Sequence, residues 1–136
     1  MLLVDSSVWI DWLRGVATNA VRFVQAREPF KEIVLTQMIY MEVLQGVSSD
    51  RPYAECQRVL GAQTMLHPLD ALETFEAAAQ FYRKAREKGL IICKSTDCLI
   101  AAIALEQGGM LVHNDRNLIA VAVAEPMLVG YPAPLH

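Results

Sequence analysis

No apolar run in this sequence approaches the length of a membrane span. The longest, from Cys98 to Leu105 between Asp97 and Glu106, is eight residues, whereas a spanning helix needs about 20. The opening Met1-Leu2-Leu3-Val4-Asp5 has neither a basic leader nor a small-residue cleavage site, so it reads as a first strand and not as a secretory signal. These absences predict a soluble, cytoplasmic chain with no membrane partner. A basic excess is missing too: the net charge is −3, so nothing in the bulk charge advertises nucleic-acid binding. It does not exclude it, because an acidic site lowers the total. Cysteine is scarce and odd in number (Cys56, Cys93 and Cys98), which is no disulfide framework and fits a reducing compartment. Cys93 and Cys98 with His113 lack the paired short spacing of a zinc site, and the thiols read as buried.

Several catalytic signatures are also absent. Asp5-Ser6-Ser7 stands where a glycine-rich phosphate loop would follow the first strand. There is no Gly-x-Ser-x-Gly elbow, and His67, His113 and His136 have no evident nucleophile partner. A phosphotransfer site with Asp5 as nucleophile would want a second carboxylate close to it in sequence and a lysine on a later strand end; neither is evident.

What remains is a dense alternation of short apolar runs and helical stripes. With 136 residues and 54% hydrophobic content, the chain is long enough for one domain, residues 1–136, with a real core. Leu2–Val4, Ile33–Leu35, Thr64–His67 and Met110–His113 read as strands, with a possible fifth at Met127–Val129 on an edge. Between them fall helices near 8–13, 19–27, 37–47, 52–62, 70–88, 95–107 and 116–124. Thr36 and Asp70 stand at N-cap positions, and Gly15 and Gly89 at stops. In the long 70–88 helix, Leu72, Phe75, Ala79, Tyr82 and Ala85 read as the inward face. Leu90–Lys94 fits either a loop or a short strand. No hairpin dipeptide joins two strands. The expected fold is therefore α/β: a central parallel sheet of four to five strands with helices on both faces, a three-layer sandwich. Such sheets bind ligands beyond the carboxyl ends of their strands.

That rule gives meaning to four acidic residues. Asp5 and Asp115 each end a strand, Asp97 lies in the first turn of a helix, and Glu42 sits about 60° around its helix from Ile39, beside the buried stripe. Singly each has an ordinary explanation: an N-cap, a dipole partner or a boundary ion pair. Jointly they can converge at one sheet edge, with Gly46 one turn beyond Glu42 leaving room for an approach. Two such charges about 5 Å apart, at an effective dielectric near 20, repel by roughly 3 kcal/mol. A hard divalent cation relieves this, and oxygen-only ligands point to Mg²⁺ or Mn²⁺. Metal-assisted phosphodiester cleavage is the chemistry that combination serves.

At these residues the chain resembles the PIN-domain ribonucleases, and most of all the VapC toxins of bacterial VapBC toxin–antitoxin pairs. The elements that carry the resemblance are Leu3-Val4-Asp5-Ser6-Ser7-Val8-Trp9-Ile10, Glu42-Val43-Leu44-Gln45-Gly46, Asp97-Cys98-Leu99-Ile100-Ala101-Ala102 and His113-Asn114-Asp115-Arg116-Asn117-Leu118. Each is short; their order along nearly the whole chain makes the set specific. The resemblance implies a PIN-like fold and a metal-dependent endoribonuclease. Asp5, Glu42, Asp97 and Asp115 would be its catalytic and metal-binding residues, with Asp5 and Asp97 as direct ligands and Ser6 and Asn114 in support. It has His113 where the family often has threonine, which moves the role of that hydroxyl to Ser6 or a water.

The same resemblance implies a VapB-type antitoxin whose helix fills an apolar groove. Trp9, Trp12 and Leu13 are candidates to line it, with core or dimer packing as their alternative. A homodimer, and a larger hetero-oligomer with the antitoxin, are expected. Lys94, Arg116, Arg83 and Arg86 are candidate contacts to RNA phosphates; for the 83–88 group a solvated helix face is the alternative. The rival expectation is a catalytically degenerate PIN-like module that binds RNA or protein without cutting.

Overall fold

A computed structural model describes residues 1–27, 32–91, 94–115 and 130–131. Its elements run in the order β1 (Leu2–Val4), α1 (Ser6–Leu13), α2 (Asn19–Gln25), β2 (Ile33–Thr36), α3 (Gln37–Gln45), α4 (Asp50–Gly61), β3 (Thr64–Leu66), α5 (Ala71–Glu87), α6 (Ser95–Glu106), β4 (Met110–Val112) and β5 (Gly130–Tyr131). The strands form one parallel sheet in the order β3-β2-β1-β4-β5. Central β1 pairs Leu3 with Val34 on one side and with Leu111 on the other. Being flanked on both edges and covered on both faces, β1, β2 and the inner part of β4 are buried throughout, and apolar but for Thr36.

Topology makes the site. The chain steps outward from β1 to β2 to β3, then returns to the far side of β1 for β4. Right-handed crossovers in these opposite directions put α1–α4 on one face and α5–α6 on the other, the expected three-layer sandwich. In such sheets this reversal marks where ligands bind, outside the carboxyl ends of β1 and β4. The Asp5 amide donates to the Val112 carbonyl at 2.9 Å, so the ladder continues to the residue where the two strands deliver their acidic groups.

Local signals act as their chemistry requires. Thr36 Oγ1 accepts from the Ile39 amide at 3.2 Å and starts α3 inside the core; Asp70 Oδ1 accepts from the Glu73 amide at 3.0 Å and starts α5. Gly89, at φ +74°, closes α5 in the left-handed conformation that a side chain disfavours. Helix α6 is apolar nearly all round, with every residue from Asp97 to Ala104 buried, because it lies between the sheet and α5.

Three expectations need correction or displacement. The inward face of α5 is Thr74, Ala78, Phe81 and Ala85, and of the expected stripe Leu72 is 71% and Phe75 53% exposed. Both stripes are apolar at helical spacing, so periodicity could not choose. The small one wins because it lets α5 approach alanine-rich α6 closely, with Glu106 accepting from Thr74 Oγ1 at 2.7 Å and from the Leu69 amide at 3.1 Å. Helix α4 starts at Asp50, two residues before Pro52. The fifth strand is at Gly130–Tyr131; Met127–Val129 and the 116–124 helix lie outside the described residues, as do Ile92 and Cys93, while Leu90 and Ile91 belong to no strand.

The face assignment is testable by urea denaturation. Phe81→Ala should cost about 3–5 kcal/mol through lost burial and a cavity, and Phe75→Ala less than about 1 kcal/mol. The reverse ranking would mean that α5 is rotated.

Candidate metal centre

Asp5 follows β1 and caps α1. Its Oδ2 is fully engaged by one residue: the Ser7 amide donates to it at 3.2 Å and the Ser7 hydroxyl at 2.7 Å. Its Oδ1 is buried without a hydrogen-bond partner. The same Ser7 Oγ accepts from the Asn114 amide at 3.0 Å, so one hydroxyl locks the end of β1 to the segment after β4. Glu42, on α3, has Oε2 held by the Ser6 hydroxyl at 3.1 Å and Oε1 buried and unpartnered. Asp97, in the first turn of α6, is 2% exposed, with Oδ2 likewise unpartnered.

Electrostatics shows that these groups share one space. The pKa of Asp97 is raised to about 7, first by burial and then by the charges of Asp115, Asp5 and Glu42, against the relief of Lys94. Burial, then Asp5, lifts Glu42, offset by Ser6 and Lys94, with Asp115 adding to the rise. Asp5 is lifted by burial and by Asp115 against the two bonds from Ser7. The four expected carboxylates therefore converge, from two strand ends and two helices. Among the described residues no Arg or Lys forms an ion pair with Asp5, Glu42 or Asp97.

Do these residues fit a divalent cation? Three buried carboxylate oxygens on three different residues have no donor, and an unmet buried acceptor costs about 1–3 kcal/mol, more when charged. A cation held among them, directly or through its own waters, would relieve that cost. Among the described residues no three Asp, Glu, His or Cys side chains stand at closed ligand spacing. Like charges hold one another apart, and Mg²⁺ keeps several waters while taking only one or two carboxylates directly, so an open set suits it better than a tight cage. The zinc alternative fails on the described part: Cys98 is a buried thiol whose pKa is pushed up to about 11, first by burial and then by Asp97. Cys93 is outside the described residues.

Supporting residues divide. Ser6 holds a carboxylate of the cluster as expected. Asn114 does not; its amide goes to Ser7 and its Nδ2 reaches Asp11 Oδ2 at 3.4 Å. His113 is 1% exposed, its pKa lowered by burial, and its Nδ1 faces the Asp115 amide at 3.4 Å. Of the cations, Lys94 lies near enough to act on both Glu42 and Asp97. Arg83 is exposed with Nη1 3.4 Å from Gln80, the Arg86 guanidinium sits 5.7 Å from the Tyr82 ring centroid, and Arg116 is outside the described residues. Sequence reading missed Ser7 and Asp11. Both were within reach: they are four apart on α1 and so share a face, and Ser7 lies two residues after a capping aspartate.

Comparison with known proteins places the chain in a family. A model of the PIN domain matches residues 2–124. The VapC ribonuclease Mb1587 of Mycobacterium bovis is 34% identical over 126 residues, covering 90% of this chain and 92% of that protein. Ribonuclease VapC11 of Mycobacterium tuberculosis matches to the same extent. Among solved structures, VapBC2 from Rickettsia felis, crystallised with a DNA fragment from its promoter, superposes with a TM-score of 0.66 at 17% identity, over 95% of this chain and 96% of that one. This last likeness is one of fold.

The raised carboxylate pKa values fix the sign of a pH effect. In the metal-free protein Asp97 is protonated up to about 7 when folded but only to about 3.9 when unfolded. Its contribution to stability is thus full below about pH 4 and lost as pH rises through 7. Thermal melts without divalent cation should fall between pH 5 and 8, and Asp97→Asn should flatten that fall and raise the melting temperature at pH 8. A wild-type melting temperature that rises over this range would contradict the clustering. Ser7→Ala should weaken Mn²⁺ binding about 10–100-fold in calorimetry; unchanged affinity would show that Ser7 does not orient Asp5.

Proposed function

The chain belongs to the VapC ribonucleases of the PIN-domain family, and from that premise we propose that it is a Mg²⁺-dependent endoribonuclease, the toxin of a toxin–antitoxin pair, for which Mn²⁺ can substitute. The observation that carries this reading is the trio of unpartnered oxygens on Asp5, Glu42 and Asp97 at the end of the sheet where the strand order reverses. When bound, the cation supplies positive charge to the scissile phosphate and a lowered pKa to the attacking water.

The chain's own residues do the rest. Asp5 and Asp97 would hold the ion, Asp5 through the oxygen that Ser7 leaves open. Glu42, with one oxygen fixed by Ser6 and the other open, would take the proton of the water as it attacks phosphorus in line, while the bond from phosphorus to the opposite ester oxygen breaks and that oxygen leaves with a proton from solvent. Asp115 completes the acidic wall. Lys94 lies beside the cluster and balances the approaching phosphate. Such contacts position a strand without reading it.

An antitoxin is the natural partner of such an enzyme. Between α1, α3 and α4 runs an apolar groove of about 300 Å³ lined by Ile10, Leu13, Val43, Gly46, Val47 and Pro52 among others. A side chain at Gly46 would meet only ordinary contacts with the backbone of α3, so the glycine keeps groove floor open one turn from Glu42. A partner helix laid there can pass a cationic side chain to the cluster. Trp9 and Trp12 stack at 5.3 Å and line, with Leu13, a second hollow of about 280 Å³, extending the same side. A homodimer that joins antitoxin in a larger assembly completes the proposal. Among the described residues no helix is long and apolar enough to cross a membrane, and a cytoplasmic setting suits an enzyme that acts on RNA.

The test is direct. Purified protein should cut structured RNA with Mg²⁺ or Mn²⁺ and not with EDTA, and Asp97→Asn should lower the rate at least about 10³-fold. RNA bound but never cut under any of these metals would favour the non-catalytic module.

A further inference from the structure

We propose that the hollow between α5, the start of α6 and the start of α3 is a subsite for one unpaired nucleobase of the RNA strand held at the acidic cluster; this rests on the ribonuclease reading above. The hollow measures about 630 Å³, within the roughly 300–1,000 Å³ usual for small-ligand sites. Its walls are Phe75 and Tyr82, its floor includes Ala78 and Ala79, and Arg83, Ser95 and Thr96 bring polar groups to it. Phe75 and Tyr82 are two turns apart on one helix face, about 10 Å along the axis, with the two alanines between them, so a flat ring has space to enter. Phe75 is 53% exposed, a cost in water that a core role does not explain, since Phe81 fills the core from the same helix.

Three features favour a base over a second protein as occupant. The first is continuity: Ser95 and Thr96 directly precede Asp97 in the first turn of α6, so whatever occupies the hollow adjoins the cluster. The second is the mixture of chemistries. Aromatic faces stack on bases, serine and threonine hydroxyls pair with base edges, and a guanidinium takes a phosphate or a ring face. The third is the charge of the whole chain. At −3, it gains little of the phosphate-driven affinity on which strand binding usually rests. Stacking is a source of affinity that does not depend on net charge, and it works on any base. Arg86, beside the Tyr82 ring at 5.7 Å, lines a smaller hollow with Leu90 and Ile91 and adds positive charge on the side of Tyr82 where the strand would continue.

The experiment uses short single-stranded RNAs, each with one 2-aminopurine at a different position, bound to the Asp97→Asn chain. Cleavage kinetics of the otherwise unaltered enzyme are measured in parallel, with Phe75→Ala, Tyr82→Ala and Tyr82→Phe made in both backgrounds. The expected result is quenching at one position near the cut. Both alanine variants should abolish it and Tyr82→Phe should retain it, with KM raised about 5–150-fold and kcat little changed. Cutting with unchanged KM in both alanine variants overturns the subsite and leaves the nuclease standing. Loss of quenching accompanied by a change from dimer to monomer in light scattering also overturns it, because the face then belongs to a second copy. Quenching that depends on Phe75 and Tyr82 in a chain that never cuts RNA supports the subsite and defeats the nuclease reading instead.

Discussion

Repulsion among buried carboxylates is the constraint around which this molecule is arranged. Asp5 and Asp97 are each 2% exposed, Glu42 and Asp115 press on them electrostatically, and the hydrogen bonds within reach satisfy one oxygen of Asp5 and one of Glu42 and leave the other open. Folding alone gains nothing from such an arrangement. The metal-free fold carries the strain because the sheet, the two crossover directions and α6 are stable enough to hold the groups in place. A cation bound as proposed would turn the same repulsion into binding energy.

The open oxygens are selected, not left over. Ser7 occupies one oxygen of Asp5 with two bonds, and Ser6 occupies one oxygen of Glu42. Adjacent hydroxyls at the start of α1 thus orient two carboxylates from different elements. Ser7 also ties down Asn114, which sets the direction in which the chain leaves β4 toward Asp115. Site geometry therefore depends on a few short bonds at the end of β1, while the bulk of the core, from Leu3 and Leu35 to Ile100 and Leu111, supplies the rigidity behind them.

What could be read from the sequence was whatever is local or periodic. Thr36 and Asp70 were legible as caps because a cap is a property of a few consecutive residues. Four of the five strands were legible as short apolar runs, and the alternation of strand and helix gave the parallel sheet. Asp5, Asp97 and Asp115 were legible as a group from their positions at or near the ends of elements, and Glu42 from its place beside the buried stripe of α3. The face of α5 was not, because Phe75 and Phe81 lie on two apolar stripes and only the alanine surface of α6 decides between them. Nor was the double duty of Ser7, whose second partner is 107 residues away, or the approach of Asp11 to Asn114. The sequence puts Ser7 and Asp11 on one face of α1, but that Asn114 meets both is set by tertiary packing.

The most direct test of the central claim is the position of Mn²⁺ in crystals of the protein, read from its anomalous scattering. The account predicts a peak bordered by Asp5 Oδ1, Glu42 Oε1 and Asp97 Oδ2, and its loss in Asp97→Asn. A peak at some other group of side chains, or a protein that cuts RNA at full rate with no ion at these oxygens, would contradict it.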